Sequence, residues 1–332
     1  MPTTDHSDGA AAAAVRDPAD RTTPPVRARV RLAVAATIVA VAAAVPADAT
    51  ADTPAAPEGG ALSAAPAPPG TAPLVCVVDG GVRAVPAIGA QLVLSDVLTA
   101  VAGLLDPGDD HGTLVAESVL QTWPWARIAS VRVLQGGSAD GALVPRAVDR
   151  CVGLGAAVVN LSVVSTSAQP QAVVDQTRAA VLRARDAGVD VVVAAGNAGG
   201  PVLFPGSAAP DVAIVVDATD GATRCSFAST GPDVVVGATA CPTWLPTFDG
   251  RGWAPQAGSS FAAPQVAAVL AAMRAYAPGL DAAARRGVLS GMPGRLLDPA
   301  EVLRRIGRAD LLPTVAAGTT AGAEPGAGGS SG

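Results

Sequence analysis

Four residues of this chain have types and an order that suit acyl transfer: Asp79, His111, Asn197 and Ser260. A serine hydroxyl is a weak nucleophile until a neighbouring base takes its proton, and imidazole is the side chain that titrates near neutral pH. A carboxylate on the far ring nitrogen fixes the tautomer and stabilises the imidazolium. An amide next to glycines can donate to a developing oxyanion. The chain has two histidines, and His6 precedes the N-terminal apolar segment, which leaves His111 for the body of the chain. Each residue also has a purely structural reading. Asp79-Gly80-Gly81 fits a strand-end turn, and Gly196-Asn197-Ala198-Gly199 fits a tight turn. Ser259 and Ser260 fit helix caps, and a lone histidine can simply be structural. No G-x-G-x-x-G follows Asp79, so a nucleotide-binding turn is excluded.

The elements that must hold these residues can be read around them. After Gly258 comes Ser259-Ser260-Phe261-Ala262-Ala263-Pro264, then a run from Gln265 to Met273 with apolar residues on every side. The pattern predicts a helix buried all round, with Ser260 in its positive end and Pro264 within its first turn. Strands are predicted at Leu74–Val78, Arg127–Leu134, Ala157–Val164, Asp190–Ala195 and Val212–Val216. Helices are predicted within Ile88–Leu105 and at His111–Leu120, Leu143–Leu154 and Val173–Ala187, the last two closed by Gly155 and Gly188. This alternation gives an α/β fold with a doubly wound, mainly parallel sheet and helices on both faces. Ligands in such sheets bind beyond the carboxyl ends of the strands, where Asp79, Asn160 and Asn197 fall.

Composition sets the limits. Of 332 residues, half are hydrophobic and 15% charged, and the net charge is −6. With no basic cluster in the body of the chain, nucleic acid is not an expected partner. Arg27, Arg29 and Arg31 precede a 14-residue apolar stretch, Leu32–Val45, followed by Ala47-Asp48-Ala49 and Ala49-Thr50-Ala51. This is the layout of a secretory signal peptide, assigned to residues 1–51, and an uncleaved anchor is the alternative. Residues 52–71, rich in Pro and Ala, read as a linker. Residues 72–312 read as the globular domain and 313–332 as a disordered Gly/Ala/Ser tail. The expected location is secreted or attached to the cell envelope, with membrane contact only through an uncleaved N-terminus. Four cysteines permit two disulfides in an oxidising compartment. Cys225 and Cys241 flank one loop and are expected to pair, whereas Cys76 and Cys151 fit a second bridge or buried thiols equally. No Asp or Asn cluster has calcium-loop spacing, so no metal or cofactor is expected.

Taken together, these segments resemble the subtilisin-like serine peptidases, the subtilase family. The resemblance rests on Val77-Val78-Asp79-Gly80-Gly81-Val82, His111-Gly112-Thr113, Val159-Asn160-Leu161-Ser162, Ala194-Ala195-Gly196-Asn197, Phe204-Pro205 and Gly258-Ser259-Ser260-Phe261-Ala262-Ala263-Pro264. It covers residues 72 to 310. Leu297-Asp298-Pro299-Ala300-Glu301-Val302-Leu303 is similar to the C-terminal segment of mycosins, actinobacterial subtilases associated with type VII secretion. The resemblance implies a subtilisin-like fold and a secreted serine endopeptidase acting on peptide or protein as a monomer. Ser260 would be the nucleophile, His111 the general base and Asp79 its partner. Asn197 and the Ser260 N–H would form the oxyanion hole. Ser162, Val163, Val164 and Gly196 would bind an extended substrate as an added strand. The 52–71 stretch is too short for a folded inhibitory prodomain, so autoprocessing of the usual kind is not expected.

The chain also departs from the family pattern. Gly80 stands where Ser or Thr is usual, Leu114 where a second His is usual, and Glu117 where glycine is usual. Ser162-Val163-Val164-Ser165 replaces a Ser-x-Gly-Gly run at the groove edge. These changes keep two alternatives in view: a scaffold that binds peptide or a secretion partner without cutting it, and an esterase using the same residues.

Overall fold

A computed structural model describes residues 37–40, 60–99 and 110–313. In chain order the first elements are β1 (Thr37–Ala40), β2 (Leu74–Asp79), β3 (Leu92–Val97), α1 (His111–Thr122), β4 (Arg127–Arg132), β5 (Ser138–Asp140) and α2 (Leu143–Gly153). Then follow β6 (Val158–Leu161), β7 (Val163–Val164), α3 (Gln171–Asp186), β8 (Asp190–Ala194), β9 (Ile214–Thr219) and β10 (Val234–Thr239). The last are β11 (Thr243–Pro246), β12 (Trp253–Gln256), α4 (Ser259–Tyr276), α5 (Ala282–Ser290) and α6 (Pro299–Arg305).

Seven strands form one sheet in the order β10-β9-β8-β6-β2-β4-β3, every pair parallel. The inner strands are buried on both faces, as their runs of valine require. One apolar cluster packs α1 and α4 on one face, with Val115, Val119, Phe261, Val266 and Leu270. A second packs α2 and α3 on the other, with Val144, Val148, Ala180 and Ala184. The expected doubly wound α/β architecture is what the chain adopts. Winding passes from β2 toward β4 and β3 on one side, and from β6 outward on the other. The C-terminal ends of β2 and β6 therefore flank the switch point where such folds bind ligands.

A second sheet, β5-β1-β7, is antiparallel and lies beyond these ends. β1 comes from the stretch read as a signal peptide; apart from residues 37–40, that stretch lies outside the described residues, as does the tail beyond 313. Among the described residues no helix is long and apolar enough to cross a membrane.

Several expectations change. Residues 60–65, read as linker, belong to the folded unit. Leu62 and Ala65 are buried in the α1/α4 cluster, and the Trp125 indole and Tyr276 hydroxyl donate to the carbonyls of Ala65 and Pro66. Composition hid two apolar anchors among prolines. The helix expected within 88–105 is a short helical turn at Gly89–Gln91 followed by β3. The strand Leu92–Val97, which opens on Leu92-Val93-Leu94, supplies backbone partners to the open edge of β4, and residues 100–109 lie outside the described set. The segment read as a loop between Cys225 and Cys241 contains the edge strand β10. Both disulfides are present, Cys225–Cys241 as expected and Cys76–Cys151, which had been left open. The second ties α2 to β2, three residues before Asp79.

Pro264 is the sixth residue of α4 and not part of its first turn. Its missing N–H leaves the Ser260 carbonyl without the usual i→i−4 donor. The Ser162 hydroxyl takes that place, donating to Ser260 O at 2.8 Å.

Candidate active site

Asp79 closes β2 and is fully buried. Its Oδ1 accepts the Gly80 N–H at 2.7 Å, so the backbone does part of the work a hydroxyl at position 80 would do. Its two carboxylate oxygens lie 3.0 and 2.9 Å from His111 Nδ1. His111 is the first residue of α1, and its ring meets Phe261 of α4 at 5.4 Å between centroids. Such a carboxylate holds Nδ1 protonated and turns Nε2 into the basic nitrogen. Among the described residues His111 Nε2 has no hydrogen-bond partner.

Close approach of α1 to the end of β2 depends on Gly112. A Cβ there would lie 2.3 Å from the Gly81 carbonyl oxygen and 2.9 Å from Asp79 Cβ. No side chain fits, so the glycine after His111 sets the carboxylate–imidazole distance.

Ser260 is fully buried in the first turn of α4. Its hydroxyl donates to the Ser162 carbonyl at 3.1 Å, while the Ser162 hydroxyl donates to the Ser260 carbonyl. The two serines thus clasp each other across the gap between β6 and α4. Asn160 Nδ2 donates to Ser162 Oγ at 2.9 Å and orients that hydroxyl. The sequence placed Ser162 in the substrate groove; its side chain supports the start of α4.

Asn197 follows Gly196, whose φ of +112° and crowding by Leu203 and Ser229 bar a side chain. The Asn197 side-chain oxygen accepts from the Ser259 N–H and hydroxyl, each at 2.9 Å, and the Gly196 N–H donates to Ser259 Oγ at 3.1 Å. With its oxygen so held, Asn197 has its donors on the amide nitrogen, beside the N-terminus of α4, where a developing negative charge is favoured. Gly196 acts by holding this loop. Val163 and Val164 are buried in β7, paired to β1.

Glu117, one turn and a half beyond His111, is buried with both carboxylate oxygens unpartnered among the described residues. Burial pushes its pKa up to about 8, so it is mostly protonated at neutral pH. It lines a cavity of about 290 Å³ with Ile88, Gln121, Pro246 and Trp253. Two supporting residues escaped the sequence reading. Ser118 donates to Phe261 O at 3.0 Å, and Ser259 holds Asn197. No group of three His, Cys, Asp or Glu residues that could hold a metal occurs among the described residues.

Residues 70–291 match the model of the subtilase family, Peptidase_S8. The chain is 28% identical over 219 residues to the thermostable alkaline protease of Halalkalibacterium halodurans, covering 61% of this chain and 57% of that protein. It is 33% identical over 181 residues to subtilisin-like protease 3 of Trichophyton equinum, covering 51% of this chain and 44% of the relative. The chain thus spans about half the length of the curated relatives it matches. Among solved structures, a cold-adapted subtilisin-like serine proteinase aligns with a TM-score of 0.56 and 26% identity, covering 68% of this chain and 84% of the other. A lanthipeptide protease shares the fold at a TM-score of 0.61 and 18% identity, over 70% and 88% of the two chains. With a match spanning the seven-stranded sheet and α1 to α5, the chain belongs to the subtilase family.

Proposed function

We infer that the protein is a serine endopeptidase that cleaves peptide bonds through an acyl-enzyme. Ser260 attacks the scissile carbonyl, and His111 Nε2 takes its proton and returns it to the leaving amine. Asp79 holds the tautomer and stabilises the imidazolium. The tetrahedral oxyanion is received by the Asn197 amide and the Ser260 N–H at the head of α4. The observation that carries this reading is the buried Asp79 carboxylate on His111 Nδ1, at 2.9 and 3.0 Å, with Nε2 unpartnered among the described residues. Secretion through the N-terminal segment fits the two disulfides. A monomer acting on peptide or protein is expected.

A second reading, a peptide-binding scaffold without turnover, is favoured by one detail: the Ser260 hydroxyl donates to Ser162 O. For attack it must turn toward His111. A fluorophosphonate probe read by intact mass separates the two. One adduct on wild type, absent from Ser260→Ala and His111→Ala, supports the peptidase. No adduct on folded wild type leaves the scaffold. Asn197→Ala is expected to lower turnover by roughly 10²–10³-fold, a magnitude measured for the equivalent donor in subtilisin itself.

A further inference from the structure

None of Asp79, His111, Asn197 and Ser260 lines the cavity beside Glu117. That cavity lies between α1, the turn at 86–91 and the turn end of the β11–β12 hairpin, and holds about 290 Å³. Small-molecule sites start at ~300 Å³, so its size suits one small molecule or one side chain. Its wall carries charge of one sign. Glu117 is the single ionisable side chain there, and no arginine, lysine or histidine lines it. The Gln121 amide nitrogen donates to the Trp244 carbonyl at 2.9 Å, and that of Gln91 to the Pro124 carbonyl at 3.4 Å, which leaves both amide oxygens as acceptors. Trp253 adds an indole face with no ring or cation partner among the described residues, and Ile88 and Leu120 add aliphatic surface.

A carboxyl, two amide oxygens, an indole and aliphatic walls are the parts that recognise an organic cation. A hard metal ion asks for about six to eight oxygens, and no group of three His, Cys, Asp or Glu that could hold one occurs among the described residues. Glu117 itself supplies the second observation. It is 2% exposed, and neither carboxyl oxygen has a hydrogen-bond partner among the described residues. An acid buried in this way costs stability, and a cationic donor entering the cavity would remove that cost. We propose that the cavity is a binding site for an alkylguanidinium or alkylammonium group, which pairs with the Glu117 carboxylate and rests its stem on Trp253 and Ile88. The Glu117 proton leaves to solvent as the cation enters. The group belongs to a free small cation or to a basic side chain, and its binding does not depend on the peptidase reading.

The test is calorimetry on the full chain with butylguanidinium and its neutral isostere butylurea. At pH 8 the cation is expected to bind one to one, and the urea at least ~10-fold more weakly, the worth of a charge-assisted hydrogen bond. Glu117 ionises only as pH approaches 8, so affinity should rise roughly 50-fold from pH 6 to pH 8, with nearly one proton released per ligand at pH 7. No other residue of the wall titrates in that range. Glu117→Gln keeps the shape of the side chain and should abolish both the preference for the cation and the proton release. Trp253→Leu should weaken the cation several-fold and leave the proton release in place. Absence of binding at millimolar cation, equal binding of the urea, or unchanged affinity in Glu117→Gln overturns the proposal. Calcium chloride that displaces the cation and binds more tightly overturns it as well, since the site would then be a metal site. Acetyl-arginine amide separates the two sources: tighter binding than butylguanidinium assigns the site to a side chain, and weaker binding to a free cation.

Discussion

The two faces of the central sheet are held by different means. On the face of α1 and α4 the backbones themselves come close. Gly112 has no room for a Cβ, α4 is lined by alanine and valine, and the hydroxyls of Ser118 and Ser162 reach helix carbonyls. On the face of α2 and α3 the contacts are between side chains: Val148, Ala180, Val181 and Ala184, one disulfide to β2, and an Arg183–Asp149 pair at the rim. His111 and Ser260 lie in the first turns of α1 and α4, Asp79 abuts Gly112, and Asn197 is held by Ser259. The candidate site therefore rests on backbone approach, which cannot repack, whereas side-chain packing tolerates substitution.

The comparison can be broken most severely at Gly112. Gly112→Ala is expected to push α1 off β2, lowering the fluorophosphonate labelling rate at least ~10²-fold and stability by about 3 kcal/mol in urea unfolding. Retention of the wild-type labelling rate would show that backbone approach does not set the site. On the opposite face, replacing Cys76 and Cys151 together by alanine opens a link spanning 75 residues. Loss of about 4 kcal/mol is expected from the chain-entropy model, with the labelling rate of the folded fraction unchanged.

Glu117 sharpens the contrast, because it is a defect on the close-packed face. Its pKa, raised from 4.5 to about 8, means the native state holds an extra proton across that window, so its contribution to stability falls as pH rises through it. Glu117→Gln removes the titration. The variant is expected to match wild type near pH 4 and to exceed it by roughly 3 kcal/mol at pH 7, visible as a flat melting temperature against pH. A wild-type slope surviving in Glu117→Gln would assign the effect elsewhere. The smallest effect is at the rim: Arg183→Ala, which breaks an exposed pair, should cost less than about 1 kcal/mol and vanish in high salt.

Much of this was legible in the sequence, for physical reasons. Gly-Ser-Ser-Phe-Ala-Ala-Pro and His-Gly-Thr announce close backbone approach, because only small residues allow it, and valine runs between helices announce a parallel sheet. What stayed hidden depended on distant partners. The apolar run Leu92–Leu94 suits either state, and the open edge of β4 decided for strand. Leu62 and Ala65 sat in a composition typical of linkers, and only Trp125 and the α1/α4 core reveal why they are fixed. Pro264 was placed too early in α4 because the donor that tolerates it, Ser162, lies 98 residues away. Thr37–Ala40 was read from its hydrophobicity, and the slot that receives it is assembled from β5 and β7, about a hundred residues further on.

The reciprocal clasp between Ser162 and Ser260 has a mechanical consequence. One serine carries the groove edge and the other is the candidate nucleophile, and each hydroxyl donates to the other's carbonyl. The two are coupled in series, like teeth of one gear. A peptide that wedges the edge strand outward drags on the head of α4, and turning the Ser260 hydroxyl toward His111 unloads one of the two bonds that hold the edge. In the proposed peptidase, fit and reactivity are therefore adjusted together: peptides that seat without strain at Val163 and Val164 would leave the serine free to turn, and those that splay the strand would lose rate along with affinity.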